Sequence, residues 1–205
     1  MTPGRFITFE GIDGSGKSTQ ARLLHARMVT SGRPARLTRE PGGSEGAEII
    51  RRLLVEGDPE RWSGETECLL FTAARRDHVE KVIQPALAGG ETVISDRFAD
   101  STRVYQGAAR GDLRALVDDL HAKVIQIEPA LTFIIDMDPD AALARGLARG
   151  SGEDRFEDMG AGFQHALRRG FLALASDYPE RCHVVDGARA EEVVAAEIAD
   201  IAGVS

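Results

Sequence analysis

Residues 11–19 read GIDGSGKST, follow the apolar run FITFE and lead into KSTQARLLHARM, a stretch with helical spacing. Gly11, Gly16, Lys17 and Ser18 satisfy the pattern G-x-x-x-x-G-K-[ST], which is informative here because a strand precedes it and a helix follows. Glycines let the backbone curl around a phosphate with its N–H groups turned inward, and the helix start adds the positive end of its dipole. In such a loop Gly11, Asp13, Gly14, Ser15, Gly16, Lys17, Ser18 and Thr19 line the phosphates of a nucleotide. Lys17 reaches the β- and γ-phosphates, and the Ser18 hydroxyl offers an oxygen to Mg²⁺, a hard cation that prefers such ligands. A glycine-rich turn that binds nothing has no need of both the lysine and the hydroxyl.

The remaining sequence agrees with that local constraint. Short apolar runs bounded by turn residues predict strands at 6–10, 93–96, 131–137 and 183–185, with a weaker one at 35–38. Helical spacing predicts helices at 17–30, 47–55, 65–87, 113–127, 140–147, 163–176 and 191–201. Strand and helix alternate, which points to an α/β fold with a five-stranded parallel sheet covered by helices on both faces. Ligands then belong at the carboxyl ends of the strands. With 205 residues and 42% hydrophobic content the chain suffices for one domain over 1–205. Its Gly-flanked segment 146–162 is too short for a domain boundary and reads as a mobile lid.

Charge and composition narrow the function classes. A net charge of −8 is the wrong sign for a protein that gains affinity by neutralising a nucleic-acid backbone. Lys17, Lys81 and Lys123 are the only lysines among 25 Lys plus Arg, which leaves 22 arginines. Arginine suits forked contacts with phosphate, although codon bias in a GC-rich genome produces the same excess. Two cysteines, Cys68 and Cys182, are too few for a disulfide framework or a zinc site and fit a reducing cytoplasm. No apolar run is long enough for a membrane span and no signal peptide is evident, so a soluble cytoplasmic protein is expected. The chain contains no asparagine, which excludes guanine recognition through an Asn-Lys-x-Asp signature. The strand TVISD ends in Asp96, placed to be the second metal anchor beside the loop, and Arg97 follows at once. Taken alone, that acid and base could equally be a surface pair.

Three further segments, TREPGG (38–43), LLFTAAR (69–75) and SDRFADSTRVYQGAARG (95–111), carry a resemblance to bacterial thymidylate kinases. The match runs in order from about residue 6 to 185, and the DRF…ST..YQG block is more specific than the phosphate loop. The resemblance implies the three-layer P-loop NTPase fold and a kinase that moves the γ-phosphoryl of ATP to dTMP with Mg²⁺, acting as a homodimer. It places Asp13 near the acceptor's sugar and phosphate, Arg97 on the acceptor phosphate and Phe71 against thymine. Arg75 falls on a base carbonyl and Thr102 near the ring N–H. Tyr105 lies under the sugar, with Gln106 supporting that wall. Glu40 and Arg52 join the acceptor site. Because the loop has no cation besides Lys17, the resemblance puts the arginine that meets transition-state charge on the lid, with Arg149 and Arg155 as candidates and Arg145 on the supporting helix.

Plainer roles compete for several of these. Phe71 follows two leucines and could pack in the core, Tyr105 could cap a core with its hydroxyl in water, Arg39 and Glu40 could pair at the surface, and Arg52 could face solvent. The five histidines form no ligand spacing and read as structural. Arg103 and Val104 precede Tyr105 where relatives carry a small residue, which leaves the packing beside the base open. A related kinase with another acceptor, or a nucleotide-binding module without turnover, are the competing readings.

Overall fold

The computed structural model describes residues 4–58, 61–109, 112–147 and 161–204. Five strands, β1 (Phe6–Glu10), β2 (Ala35–Arg39), β3 (Thr92–Asp96), β4 (Leu131–Asp136) and β5 (Cys182–Asp186), form one parallel sheet in the order β2-β3-β1-β4-β5. The strand β1 is buried along its whole length because it sits at the centre with neighbours and helices on every side. At the edge, β2 is half-buried or exposed along its whole length, which is why its sequence signal is the weakest.

The period of two along β1 divides its side chains between two cores. Ile7 and Phe9 join Leu24 and Met28 of α1 (Lys17–Thr30) and Val194 and Ile198 of α9 (Glu191–Ala202) on one face. Phe6 joins the opposite face with Val79, Ile83, Phe98 and Ala99. On that second face lie α3 (Gly64–His78), α4 (Gln84–Ala88), α5 (Ala99–Val104) and α8 (Ala161–Asp177). The helices α2 (Glu45–Val55), α6 (Arg114–Leu120) and α7 (Pro139–Leu147) complete the set.

Two predicted helices differ in detail. The stretch expected as one helix over 65–87 is α3 and α4 joined by a π-helical turn, Val79–Ile83. Pro85 at the start of α4 has no N–H to give to the preceding turn, and the wider turn absorbs that loss. Likewise the predicted 113–127 is α6 followed by a π turn at His121–Ile125, stopped by Gln126 at φ 60. One helix was not expected at all. Residues ADSTRV form α5 and continue into a π turn, Tyr105–Ala109. Its polar residues leave no apolar stripe to detect, because the helix is held by ion pairs and hydrogen bonds to both of its sides.

The register sets the site. Phe9 pairs with Asp96 and Arg39 pairs with Asp96 from the other side, so the loops after β1, β2 and β3 leave the sheet together.

Candidate active site

The loop after β1 reaches α1 through Gly16, whose φ of 100 belongs to the left-handed region. No side chain caps this helix, so its first-turn N–H groups remain available to an anion. A Cβ on Gly14 would lie 2.0 Å from the Ala142 carbonyl oxygen, so only glycine lets the loop press against α7. Lys17 folds back over the loop, its Nζ 3.2 Å from the Ile12 carbonyl and 3.4 Å from Asp13 Oδ1. Burial and the nearby Arg97 lower the Lys17 pKa, against the pull of Asp13 and Asp96.

Arg97 takes an unusual backbone conformation for a non-glycine residue, φ 70. Its guanidinium forms a very short ion pair with Asp13 and donates to the Gly11 carbonyl at 3.2 Å and to Ser101 Oγ at 2.8 Å. Tyr105 donates its hydroxyl to Asp13 Oδ2 at 3.0 Å and accepts from Arg97 at 3.2 Å. Burial would raise the Asp13 pKa, yet Arg97, Lys17 and Tyr105 hold it well below the usual carboxylate range. Tyr105 is pushed up by burial, so its hydroxyl stays protonated as a donor. Asp13, Lys17, Arg97 and Tyr105 are therefore one cluster, and Tyr105 does not merely cap the core.

A second group lies beside it. Glu40, at the end of β2, is buried; it accepts from Arg75 Nε at 2.7 Å and lies 3.0 Å from His78 Nδ1. Arg39 instead pairs with Glu48 at the surface, so the two residues do not pair with each other. Arg75 also donates to the Phe98 carbonyl at 3.1 Å and to Thr102 Oγ1 at 3.0 Å. Phe71, one turn before Arg75 on α3, is only half-buried and lies outside the hydrophobic core clusters. Gln106 is buried behind this group and donates to Glu67 at 3.1 Å. Arg52 is exposed on α2 and is not brought to either group, while its neighbour Arg51 donates to the Pro41 carbonyl of the loop.

Beside Lys17, the Oδ1 of Asp96 is buried without a hydrogen-bond partner among the described residues. An unpaired buried carboxylate oxygen is costly unless something meets it. Together with the half-buried Ser18 hydroxyl it makes an oxygen-only pair of the kind Mg²⁺ takes.

Comparison with known proteins decides the family. A family model described as thymidylate kinase matches residues 9–198. The chain is 70% identical over 196 residues to the thymidylate kinase of Dinoroseobacter shibae, covering 96% of this chain and 95% of that one. It is 65% identical over 201 residues to the thymidylate kinase of a Jannaschia species, covering 98% and 97%. The crystal structure of thymidylate kinase from Ehrlichia chaffeensis matches with a TM-score of 0.78 and 38% identity over 98% of this chain and 99% of that one. The chain belongs to the thymidylate kinase family.

Within this thymidylate kinase family fold, the P-loop NTPase fold, the departure before Tyr105 has a structural account. Arg103 turns away from the site to pair with Asp100 at 2.7 Å, Asp118 at 2.8 Å and Glu128 at 2.8 Å. Val104 packs into the core with Leu167 and Phe171 of α8. On the far side of the phosphate loop a cavity of about 440 Å³ is lined by Ser15, Thr19, Arg145, Gly187, Arg189 and Glu191 among others. Arg145 sits on α7, as expected, and donates to the Gly187 carbonyl at 3.2 Å. Arg149 and Arg155 lie outside the described residues.

Several residues around the site carried no signal in the sequence. Glu10 ends β1 fully buried, accepts the Phe98 N–H at 2.8 Å and accepts the Ser101 hydroxyl at 2.6 Å. Burial and Asp100 push its pKa up to about 7, against Ser101, Arg97 and the Phe98 N–H. His78, read as structural, lies wholly buried between Glu40 and Thr38 Oγ1, the latter at 2.7 Å, and so supports the acid that holds Arg75.

Proposed function

We propose that the chain transfers the γ-phosphoryl group of ATP to the phosphate of dTMP, releasing dTDP and ADP in the supply of dTTP. Family membership supports the acceptor. The observation that carries the reaction is the meeting of Lys17 and Arg97 on one carboxylate, Asp13. Two phosphate-seeking cations from different strand ends thereby stand together at a loop built for phosphate. Phosphoryl transfer needs alignment and charge stabilisation more than covalent chemistry. The acceptor phosphate is already ionised, so no side chain has to remove a proton from it.

In this reading Gly11 through Thr19 hold the donor phosphates, with Lys17 on the β- and γ-groups, and the cavity between Arg145 and Arg189 takes the donor's nucleoside end. Arg97 holds the acceptor phosphate. Phe71, Arg75, Thr102 and Glu40 form the base side. Tyr105, with Gln106 behind it, forms the sugar wall. Ser18 and Asp96 would hold Mg²⁺, which when bound draws charge from the donor phosphates. Arg149 and Arg155 of the lid, about 146–162, supply the remaining positive charge in the transition state. We further read 1–205 as a single kinase domain working in the cytoplasm as a homodimer, for which exposed Ile49 and Leu53 of α2 and Leu69 of α3 offer apolar surface. Among the described residues no helix is long and apolar enough to cross a membrane.

A coupled assay of ADP release with ATP, Mg²⁺ and each nucleoside monophosphate in turn tests the proposal. dTMP should turn over fastest and dUMP should lose about 1–3 kcal/mol for its missing methyl, while CMP and AMP should stay near background. Faster turnover of AMP or CMP than of dTMP would overturn the reading.

A further inference from the structure

Arg97 holds a left-handed backbone conformation, φ 70, that a non-glycine residue keeps only where its surroundings enforce it. The enforcing contacts can be traced atom by atom. Its N–H donates to the Phe9 carbonyl at 2.9 Å and its carbonyl accepts the Ser95 hydroxyl at 2.8 Å. The next N–H, that of Phe98, donates to Glu10 Oε1 at 2.8 Å. The guanidinium Nη1 donates to Ser101 Oγ at 2.8 Å, and Ser101 donates its own hydroxyl to Glu10 Oε2 at 2.6 Å. Glu10 therefore grips Arg97 twice, through the backbone that follows it and through the hydroxyl that aims its side chain.

We propose that Glu10 and Ser101 are a positioning pair that sets Arg97 over the phosphate loop for the acceptor phosphate. The proposal rests on the assignment of Arg97 made above. A hydroxyl has one proton. By accepting the hydrogen bond that proton makes, Glu10 leaves the Ser101 lone pairs for Arg97, and its other oxygen accepts from the Phe98 N–H. Both tasks require an acceptor, so a carboxylate fits and its amide does not. With glutamine in place of Glu10, the amide nitrogen would face either the Phe98 N–H, donor against donor, or Ser101 Oγ, where it would compete with Arg97. Because Glu10 lies on the face of β1 opposite Ile7 and Phe9, the pair links the strand entering the phosphate loop to the helix that follows Arg97.

Glu10→Gln, Ser101→Ala, their double variant and Arg97→Ala test this by calorimetry with dTMP, thymidine and ATP, carried out about one unit above the Glu10 pKa. Glu10→Gln and Ser101→Ala should each weaken dTMP about tenfold, as loss of one hydrogen bond to a charged group does. Thymidine, which lacks the phosphate, and ATP should change by less than about twofold, and the double variant should lose no more than the worse single, because both act through one guanidinium. In steady state the loss should appear in KM for dTMP more than in KM for ATP. If Glu10→Gln does not fold, Ser101→Ala, which removes a single oxygen, decides alone. Equal losses for dTMP, thymidine and ATP would reduce the pair to a structural role and overturn the proposal. So would unchanged dTMP affinity in the variants while Arg97→Ala loses it. If Arg97→Ala itself keeps its dTMP affinity, the acceptor-phosphate assignment falls first.

Discussion

Two arginine clusters share α5, on different stripes of the helix, and they follow opposite rules. Ser101, with Tyr105 of the π turn that follows, serves Arg97, while Asp100 holds both Arg103 and Arg181. In the second cluster Asp100 is filled: Oδ1 accepts from Arg103 at 2.7 Å and Arg181 at 3.0 Å, and Oδ2 from Arg181 at 2.6 Å. Arg181 also lies 4.4 Å over the Tyr178 ring, and its side chain is 8% exposed. Around Arg97 the opposite holds. Asp13 remains 29% exposed, the backbone is left-handed, and Asp96 Oδ1 beside it has no partner among the described residues. The filled cluster has spent its polar groups on the fold, whereas the other keeps strain and unpaired capacity that a ligand can use. The arginine excess of the sequence thus has two destinations, and packing tells them apart where residue type does not.

Breaking the filled cluster should produce the largest effect. Arg181→Ala leaves buried Asp100 with Arg103 as its one paired cation among the described residues, and the loss of one partner of a buried pair costs about 3–5 kcal/mol. Urea unfolding should show this as a shift of the midpoint at unchanged slope. In the same experiment Arg97→Ala should cost less, about 1–3 kcal/mol, because Asp13 is 29% exposed and keeps Lys17 and Tyr105 as partners. Equal losses at the two positions would erase the distinction.

Ligand binding should reverse that order. Arg97→Ala should weaken dTMP by about 1.5–3 kcal/mol, the worth of a hydrogen bond to a charged group. Arg181→Ala should leave dTMP affinity of the folded protein within about threefold, since it touches no proposed ligand group. Comparable losses of dTMP affinity would mean that the filled cluster is part of the site.

The backbone at Arg97 permits a smaller and more specific check. Glycine tolerates φ 70 and alanine does not, so Arg97→Gly should be more stable than Arg97→Ala by about 1 kcal/mol, although glycine is the more flexible residue in the unfolded chain. Thermal midpoints of the two variants measure it. A less stable glycine variant would show that the conformation is not strained.

The same contrast explains what could be read from the sequence. Strands β1, β3 and β4 were legible because central parallel strands are apolar on both faces, and the phosphate loop because its chemistry lies within eight consecutive residues. Helix α5 was not legible, since Asp100, Arg103 and Ser101 are stabilised by partners on other elements rather than by an apolar stripe. Glu10 looked like the polar end of a strand. Its role depends on Ser101, 91 residues away, and that of Glu40 on Arg75, 35 residues away. Spacing encodes local chemistry, while pairings across the sheet emerge only from register. The segment SDRFADSTRVYQG pointed to Arg97, Thr102 and Tyr105 through resemblance, but not to the two arginine systems it interleaves.

The rim of the filled cluster supplies the smallest effect. Glu128 is partly desolvated, which works against its charge, but His121 at 2.9 Å and Arg103 at 2.8 Å hold its pKa down to about 2. A depressed carboxyl contributes stability that is fully present above its unfolded pKa of about 4.3 and is lost as the pH falls toward the folded value. The window is therefore from about 4.3 down to about 2, with stability falling as acid is added. Its side chain is 45% exposed, so solvent screens the pair and the contribution should be about 0–1 kcal/mol. Thermal midpoints of the parent and of Glu128→Gln, measured across that window, should differ most at the upper end and converge at the lower. Added salt should narrow the difference, because exposed charges are screened within about 10 Å at 0.1 M. A difference that grows as the pH falls would mean that Glu128 is destabilised by its surroundings when charged, and the rim would then belong with the unfilled cluster rather than the filled one.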